Sequence, residues 1–135
     1  MSNLNQVAAV PVRRKDGGEL MVLLVTSRET RRWIIPKGWP WSDAPHHESA
    51  AAEAWEEAGV RGRIVADALG TYTYDKRRDG ILLTVQVSVY LLEVTEEERT
   101  WPEMDERERA WFSPAAAAEA VIEPELKALL RTLEP

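Results

Sequence analysis

Apolar residues fall in short runs of strand length along the first part of the chain. Val7 to Val12 is one run, closed by Arg13, Arg14 and the turn residues Asp16, Gly17 and Gly18. Leu20 to Val25 (LMVLLV) is a second, unbroken run. Together they predict a β-hairpin. Its second strand should be buried on both faces, because a strand with one wet face alternates. Trp33 to Ile35 is a shorter apolar patch stopped by Pro36, and Lys37 to Pro45 reads as a loop broken by Gly38, Pro40 and Pro45.

The pattern then changes. From about His46 to Ala58, alanine, glutamate and tryptophan predict a helix, with Gly59 as its stop. Strand-like stretches follow from Val60 to Tyr74, with a break expected at Gly70. A basic turn, Asp75 to Gly80, leads into a long β-rich run from Ile81 to Val94. Glu96 to Glu108 reads as a charged loop and Arg109 to Phe112 as a short strand. Ser113-Pro114 is a helix start, a side-chain cap followed by proline, and Pro124 is another. Leu126, Leu129, Leu130 and Leu133 then make one apolar stripe at helical spacing, expected to face the core. The order of elements predicts an α+β fold, a sheet sandwiched by helices.

Composition narrows the class. The 135 residues suit a single domain spanning 1–135. A content of 44% hydrophobic and 30% charged residues is that of a soluble globular protein. The formal charge of −6 argues against nucleic acid as a partner. It leaves room for an anionic substrate held by a local basic pocket or a metal. There is no cysteine, which suits a reducing, cytoplasmic setting. The first residues lack the basic start and apolar core of a signal peptide. No apolar run nears the ~20 residues that span a bilayer, so no membrane partner is expected.

The candidate chemistry lies in the first helix. Glu53, Glu56 and Glu57 stand three and four residues apart and so share one helical face. Like charges at that spacing cost a helix about 0.2–0.5 kcal/mol per pair. A hard divalent cation with oxygen ligands turns that cost into a binding site. On the glutamates alone, a solvated acidic face is the better account.

The frame around them carries more. Gly38, five residues, Ala44, seven residues, then Ala52-Glu53-Ala54-Trp55-Glu56-Glu57-Ala58-Gly59-Val60 resembles, without a gap, the box of the Nudix hydrolase family. Two positions depart from it: Ala44 stands where the family has Glu, and Ala52 where it has Arg. The resemblance implies the Nudix fold, with a mixed β-sheet between helices, and hydrolysis of a pyrophosphate linked to another group. It implies Mg2+, with Mn2+ as the alternative, held by Glu53, Glu56, Glu57 and the main-chain carbonyl of Lys37. It gives Glu53 and Glu56 as catalytic, with Glu53 as the general base and Glu103 or Glu106 of the later loop as rival bases. In the family the box arginine pairs with box glutamates. Glu48 offers one possible replacement for the charge absent at Ala44. Nudix domains often pair, so a homodimer is allowed.

The flanks resemble the branch that includes diphosphoinositol polyphosphate phosphohydrolases and dinucleoside polyphosphate hydrolases. The resemblance rests on Thr26-Ser27-Arg28 with Arg32 to Pro36, on Lys76-Arg77-Arg78, and on Arg107 to Phe112. It implies a phosphate-rich small molecule gripped by Arg28, Lys76, Arg77, Arg78 and Arg107. Arginine suits the task because its planar fork matches phosphate oxygens. A hairpin tip and surface ion pairs are the plainer accounts of the same residues. Trp39 and Trp41 are expected to pack over the loop rather than stack on a base. Trp33, Trp55 and Trp111 are expected in or against the core, and His46 and His47 as an exposed pair. The two alanines also fit a rival, a catalytically weak domain that acts as a nucleotide-binding sensor or an interaction module. Three retained glutamates oppose it.

Overall fold

The computed structural model describes residues 4–133. Strand β1 (Leu4–Arg14) and strand β2 (Leu20–Thr26) form the expected hairpin. β3 (Trp33–Ile34) and β4 (Lys37–Gly38) are two-residue strands. Helix α1 (His46–Ala58) ends at Gly59, whose left-handed φ of 70° suits the residue after a helix. β5 (Val60–Ile64), β6 (Gly70–Arg78) and the long β7 (Ile81–Glu97) follow, then β8 (Arg109–Phe112). Helices α2 (Pro114–Ala120) and α3 (Pro124–Arg131) close the order. Ser113 Oγ caps α2 by accepting the Ala116 amide at 3.1 Å.

The sheet is mixed. β7 lies parallel to β1, pairing Val85 to Glu93 with Leu4 to Val12, and its other edge carries β6 and then β5, both antiparallel. β2 carries β8 on its far edge, opposite β1, while β3 pairs with the other edge of β2 and β4 with β1. Strand alternation sorts the core into two layers. Val7, Ala9, Leu23, Val25, Tyr90 and Leu92 face α1. Ala8, Val10, Val22, Leu24, Val85, Val87 and Val89 face α2 and α3. Both hairpin strands are therefore covered on both faces. In α1, Ala50, Ala54 and Ala58 form a fully buried stripe at four-residue spacing. Small side chains let the helix lie close on the sheet. This brings its glutamates near the strand ends.

The boundaries differ from expectation in three places. The break after β5 spans residues 65–69, and β6 starts at Gly70. The basic segment is strand up to Arg78, and only Asp79-Gly80 turns, with φ of 52° and 79°. Positive φ at both central residues marks a tight hairpin turn that matches strand twist. β7 runs on to Glu97, because β5 still offers a ladder there. Trp33 and Trp111 pack against the core as expected. Trp55 instead lies on the outer side of α1 under the Arg61 guanidinium, 3.6 Å from the ring centre. Trp39 and Trp41 are 40% and 49% exposed, so each is only partly covered by the loop and its neighbours. His46 is exposed, while His47 is half-buried near Tyr90, with ring centres 6.4 Å apart. Among the described residues no helix is long and apolar enough to cross a membrane.

The leucine stripe of α3 closes the lower core, with Leu126 and Leu130 fully buried and Leu129, together with Leu133 just past the helix end, packed at its margin. Leu130→Ala is expected to cost about 2–5 kcal/mol in urea unfolding. Leu133→Ala, at the margin, should cost clearly less, and equal losses would contradict the two-layer core.

Candidate active site

A cavity of about 480 Å³ opens where the C-terminal half of α1 meets β4 and the loops after β2 and β7. Glu53 and Glu57 line it from the helix, Lys37 and Gly38 from β4, Arg28 and Arg32 from the loop after β2, and Glu103 and Arg107 from the loop 98–108. Gly38 leaves the Glu53 carboxylate its present place, because a Cβ there would meet that carboxylate and the side chain of Glu53 would have to swing aside.

The carboxylates are held close and dry. Glu57 is buried, with Oε2 3.3 Å from Arg107 Nη2 and Oε1 accepting the Lys37 amide at 3.4 Å. Burial pushes its pKa up to about 7, against the opposing pull of Arg107 and Lys37. Glu53 is pushed up to about 8, first by burial, then by the charges of Glu57, Glu56 and Glu103. Burial pushes the Lys37 ammonium down despite Glu57 nearby, and its Nζ lies 5.0 Å from the Tyr74 ring centre. Glu56 is half-buried, and its main-chain carbonyl accepts the Glu103 amide at 3.0 Å.

The helix end fixes this arrangement. Its last carbonyls have no partner within the helix. Glu57 O accepts Trp101 Nε1 at 3.0 Å, and Ala58 O accepts Arg109 Nη1 at 2.8 Å. The loop 98–108 is thereby laid along α1. Trp101 and Arg109 were not singled out from the sequence for this role. The signal was Gly59 itself, which marks a helix end whose carbonyls need donors.

The sequence-derived residues fall into distinct places. Glu53, Glu57, Lys37, Arg28 and Arg107 converge on the cavity. Arg28 is paired at 3.0 Å with Glu106, both well exposed, so Glu103 and not Glu106 reaches the cavity from the loop. Arg107 is buried, and its guanidinium is already engaged by Glu57, Glu103 and the Thr26 carbonyl. On β6, Tyr72, Tyr74, Lys76 and Arg78 share one face, while Arg77 falls on the other. Lys76 is close enough to act on the charge of Lys37, and Arg78 lies over Trp39, 5.6 Å from the ring centre. None of Lys76, Arg77 and Arg78 lines the cavity itself, though Lys76 and Arg78 approach its lining residues Lys37 and Trp39. Glu48 is exposed at the start of α1 and does not line the cavity.

A divalent cation suits this donor set. Carboxylates that hold protons against their ordinary tendency, Glu57 buried and Glu53 half-buried, are short of positive charge, and all donors are hard oxygens. Among the described residues no three His, Cys, Asp or Glu side chains are grouped to hold a metal ion, and Glu56 does not line the cavity, so Glu53 and Glu57 are the helix carboxylates that reach it.

Comparison with known proteins agrees with the fold. The C. elegans Ap4A hydrolase binary complex superposes with a TM-score of 0.69 at 21% identity, over 95% of this chain and 93% of that one. Nudix hydrolase 16, mitochondrial, of Arabidopsis thaliana is 35% identical over 120 residues, 84% of this chain and 64% of the relative. Human diphosphoinositol polyphosphate phosphohydrolase 3-beta is 31% identical over 101 residues, 73% of this chain and 58% of the relative. The chain thus spans less than two thirds of the length of both curated relatives. The NUDIX domain model matches residues 3–133, so the chain belongs to the Nudix family.

Proposed function

We propose that the chain hydrolyses a phosphoanhydride bond in a polyphosphorylated small molecule, with Mg2+ or Mn2+ as cofactor. A dinucleoside polyphosphate or a diphosphoinositol polyphosphate is the substrate class. One observation carries the reading: a buried carboxylate, Glu57, and a half-buried one, Glu53, both pushed toward holding a proton, line one cavity with cationic side chains. Support also comes from the names of the relatives, an Ap4A hydrolase and a diphosphoinositol polyphosphate phosphohydrolase.

Glu53, Glu57 and Glu56, with the Lys37 carbonyl, are the residues to hold the ion. When bound, it supplies Lewis-acid polarisation of the diphosphate and a water of lowered pKa. The protein does the rest. Arg28 is tied only by an exposed ion pair, which contributes little and exchanges readily for a phosphate oxygen. Lys76 and Arg78 meet the outer phosphates from the hairpin. Glu53 takes the proton from the attacking water, with Glu103 as the alternative base from the opposite wall. Trp39 and the strand hairpin limit water at the mouth. A cytoplasmic setting fits the cysteine-free chain.

Incubation with Mg2+ and diadenosine polyphosphates, diphosphoinositol polyphosphates and nucleotide sugars should give turnover on the first two groups. Glu57→Gln should lower kcat by more than about 100-fold, beyond what a change outside the ligand shell costs. Saturable binding without turnover at any pH or metal would make the chain a nucleotide sensor instead.

Strand alternation separates the three basic residues of β6. Lys76→Ala and Arg78→Ala should each raise KM, most for substrates with the most phosphates, while Arg77→Ala should leave KM unchanged. Equal effects from all three would remove the hairpin face from the site.

The metal-free protein should also carry a pH signature. Glu53 and Glu57 hold a proton more tightly folded than unfolded, so their stabilising contribution is complete below the ordinary carboxylate value of 4.5. It is lost as pH rises through about 7 for Glu57 and about 8 for Glu53. In EDTA, Tm should fall across this window, and Glu53→Gln should flatten the fall. An equal slope in that variant would refute the assignment.

A further inference from the structure

Arg107 is the one buried arginine among the described residues. It reaches the cavity from the loop 98–108, and all three guanidinium nitrogens are committed to different segments. Nε donates to Glu103 Oε1 at 2.7 Å, within its own loop. Nη1 donates to the Thr26 carbonyl at 3.0 Å, at the end of β2. Nη2 lies 3.3 Å from Glu57 Oε2, on α1. The Thr26–loop junction is closed by two further bonds, from the Thr26 amide to Glu108 O at 3.0 Å and from the Glu108 amide to Thr26 Oγ1 at 2.9 Å. Helix α1 itself contains no lysine or arginine.

We propose that Arg107 is a positioning residue for the carboxylate cluster rather than a grip on substrate. It aims Glu57 and Glu103 at one point from two separate elements. The inference rests on the metal-dependent reading of the cavity. The physical reason is the shape of the group. A guanidinium is a rigid planar fork whose donors point in fixed directions, so three acceptors on three segments are fixed relative to one another. Glu57 and Glu103 would otherwise repel across the gap between helix and loop. With Oε2 of Glu57 turned to Arg107, its other oxygen faces Lys37 and the cavity. Three of its five N–H donors face protein acceptors and the group is buried, so little of the fork is left for a phosphate. The charge that α1 lacks at Ala52 is thus supplied from the loop, where it binds the loop carboxylate and the helix carboxylate together.

The test separates charge from geometry. Arg107→Lys keeps the charge, but its single nitrogen cannot span three acceptors. In substrate-free protein, Mn2+ binding followed by quenching of tryptophan fluorescence should weaken about 10-fold. In turnover, kcat should fall about 10-fold, while KM changes less than about 2-fold whatever the phosphate number. Arg107→Gln, which lacks the charge as well, should lose at least as much and gives a second reading should the lysine variant fold poorly. A KM that climbs with phosphate number at constant kcat would make Arg107 a substrate contact and overturn the proposal. Unchanged Mn2+ affinity in either folded variant would overturn it too. Weakened Mn2+ binding in a protein that turns over no substrate sinks the hydrolase reading and leaves this inference standing. Turnover with both readouts unmoved does the reverse.

Discussion

Four carbonyl groups at the end of α1 govern the rest of the site. Trp55 O is taken by the Gly59 amide at 3.0 Å and Glu56 O by the Glu103 amide at 3.0 Å. Glu57 O and Ala58 O are taken by Trp101 and Arg109. Each such bond contributes about 0.5–1.5 kcal/mol net, but a buried carbonyl left bare costs about 1–3 kcal/mol. The loop 98–108 therefore has no freedom to lie elsewhere. Its placement brings Glu103 and Arg107 beside Glu57, so the capping of a helix and the assembly of a charged site are one event. The alanine stripe beneath makes this geometry available, since a bulkier Ala54 or Ala58 would lift the helix off the sheet.

The electrostatics divide by depth. Outer pairs such as Arg28 with Glu106 and Arg31 with Glu108 sit in water and contribute little to stability. Their value is that they come apart. Arg107 with Glu57 and Glu103 is a different case, because removing one partner strands a buried charge. A chain with net charge −6 can in this way hold a polyanion locally, with exchangeable cations at the mouth and fixed ones at the floor.

The parts legible in the sequence were those set by local pattern. The span of α1, its glycine stop, the doubly buried hairpin and the leucine stripe of α3 follow from period and turn chemistry, and all are present. The spacing of Glu53 and Glu57 also placed them correctly on one face. The partners of those glutamates were not legible, because Arg107 lies fifty residues away from Glu57 in the chain. Nothing local distinguishes Arg107 from Arg109, two positions on, which serves the helix end instead. Strand alternation could have set Arg77 apart from its neighbours, but only once the segment is known to be strand. Trp55 misled for a similar reason. Its apolar bulk suggests core, yet the helix face toward the sheet is filled by alanines, and an arginine covers it on the outside.

The balance of charge at the cavity floor bears on what can bind there. Glu53, Glu56, Glu57 and Glu103 act on one another, and the cations among them are Arg107 and Lys37. Four carboxylates against two cations leave a surplus of two negative charges when all are ionised. The protein alone meets that surplus with protons, which is why burial and mutual repulsion raise the affinities of Glu53 and Glu57 for them. A divalent cation meets it without protons and leaves the carboxylates ionised. A bare phosphate chain arriving alone would add to the surplus and be repelled from the floor, whatever Arg28, Lys76 and Arg78 offer above. Enzyme and sensor readings therefore share the need for an ion. What divides them is whether a carboxylate beside that ion takes a proton from water, the role proposed for Glu53.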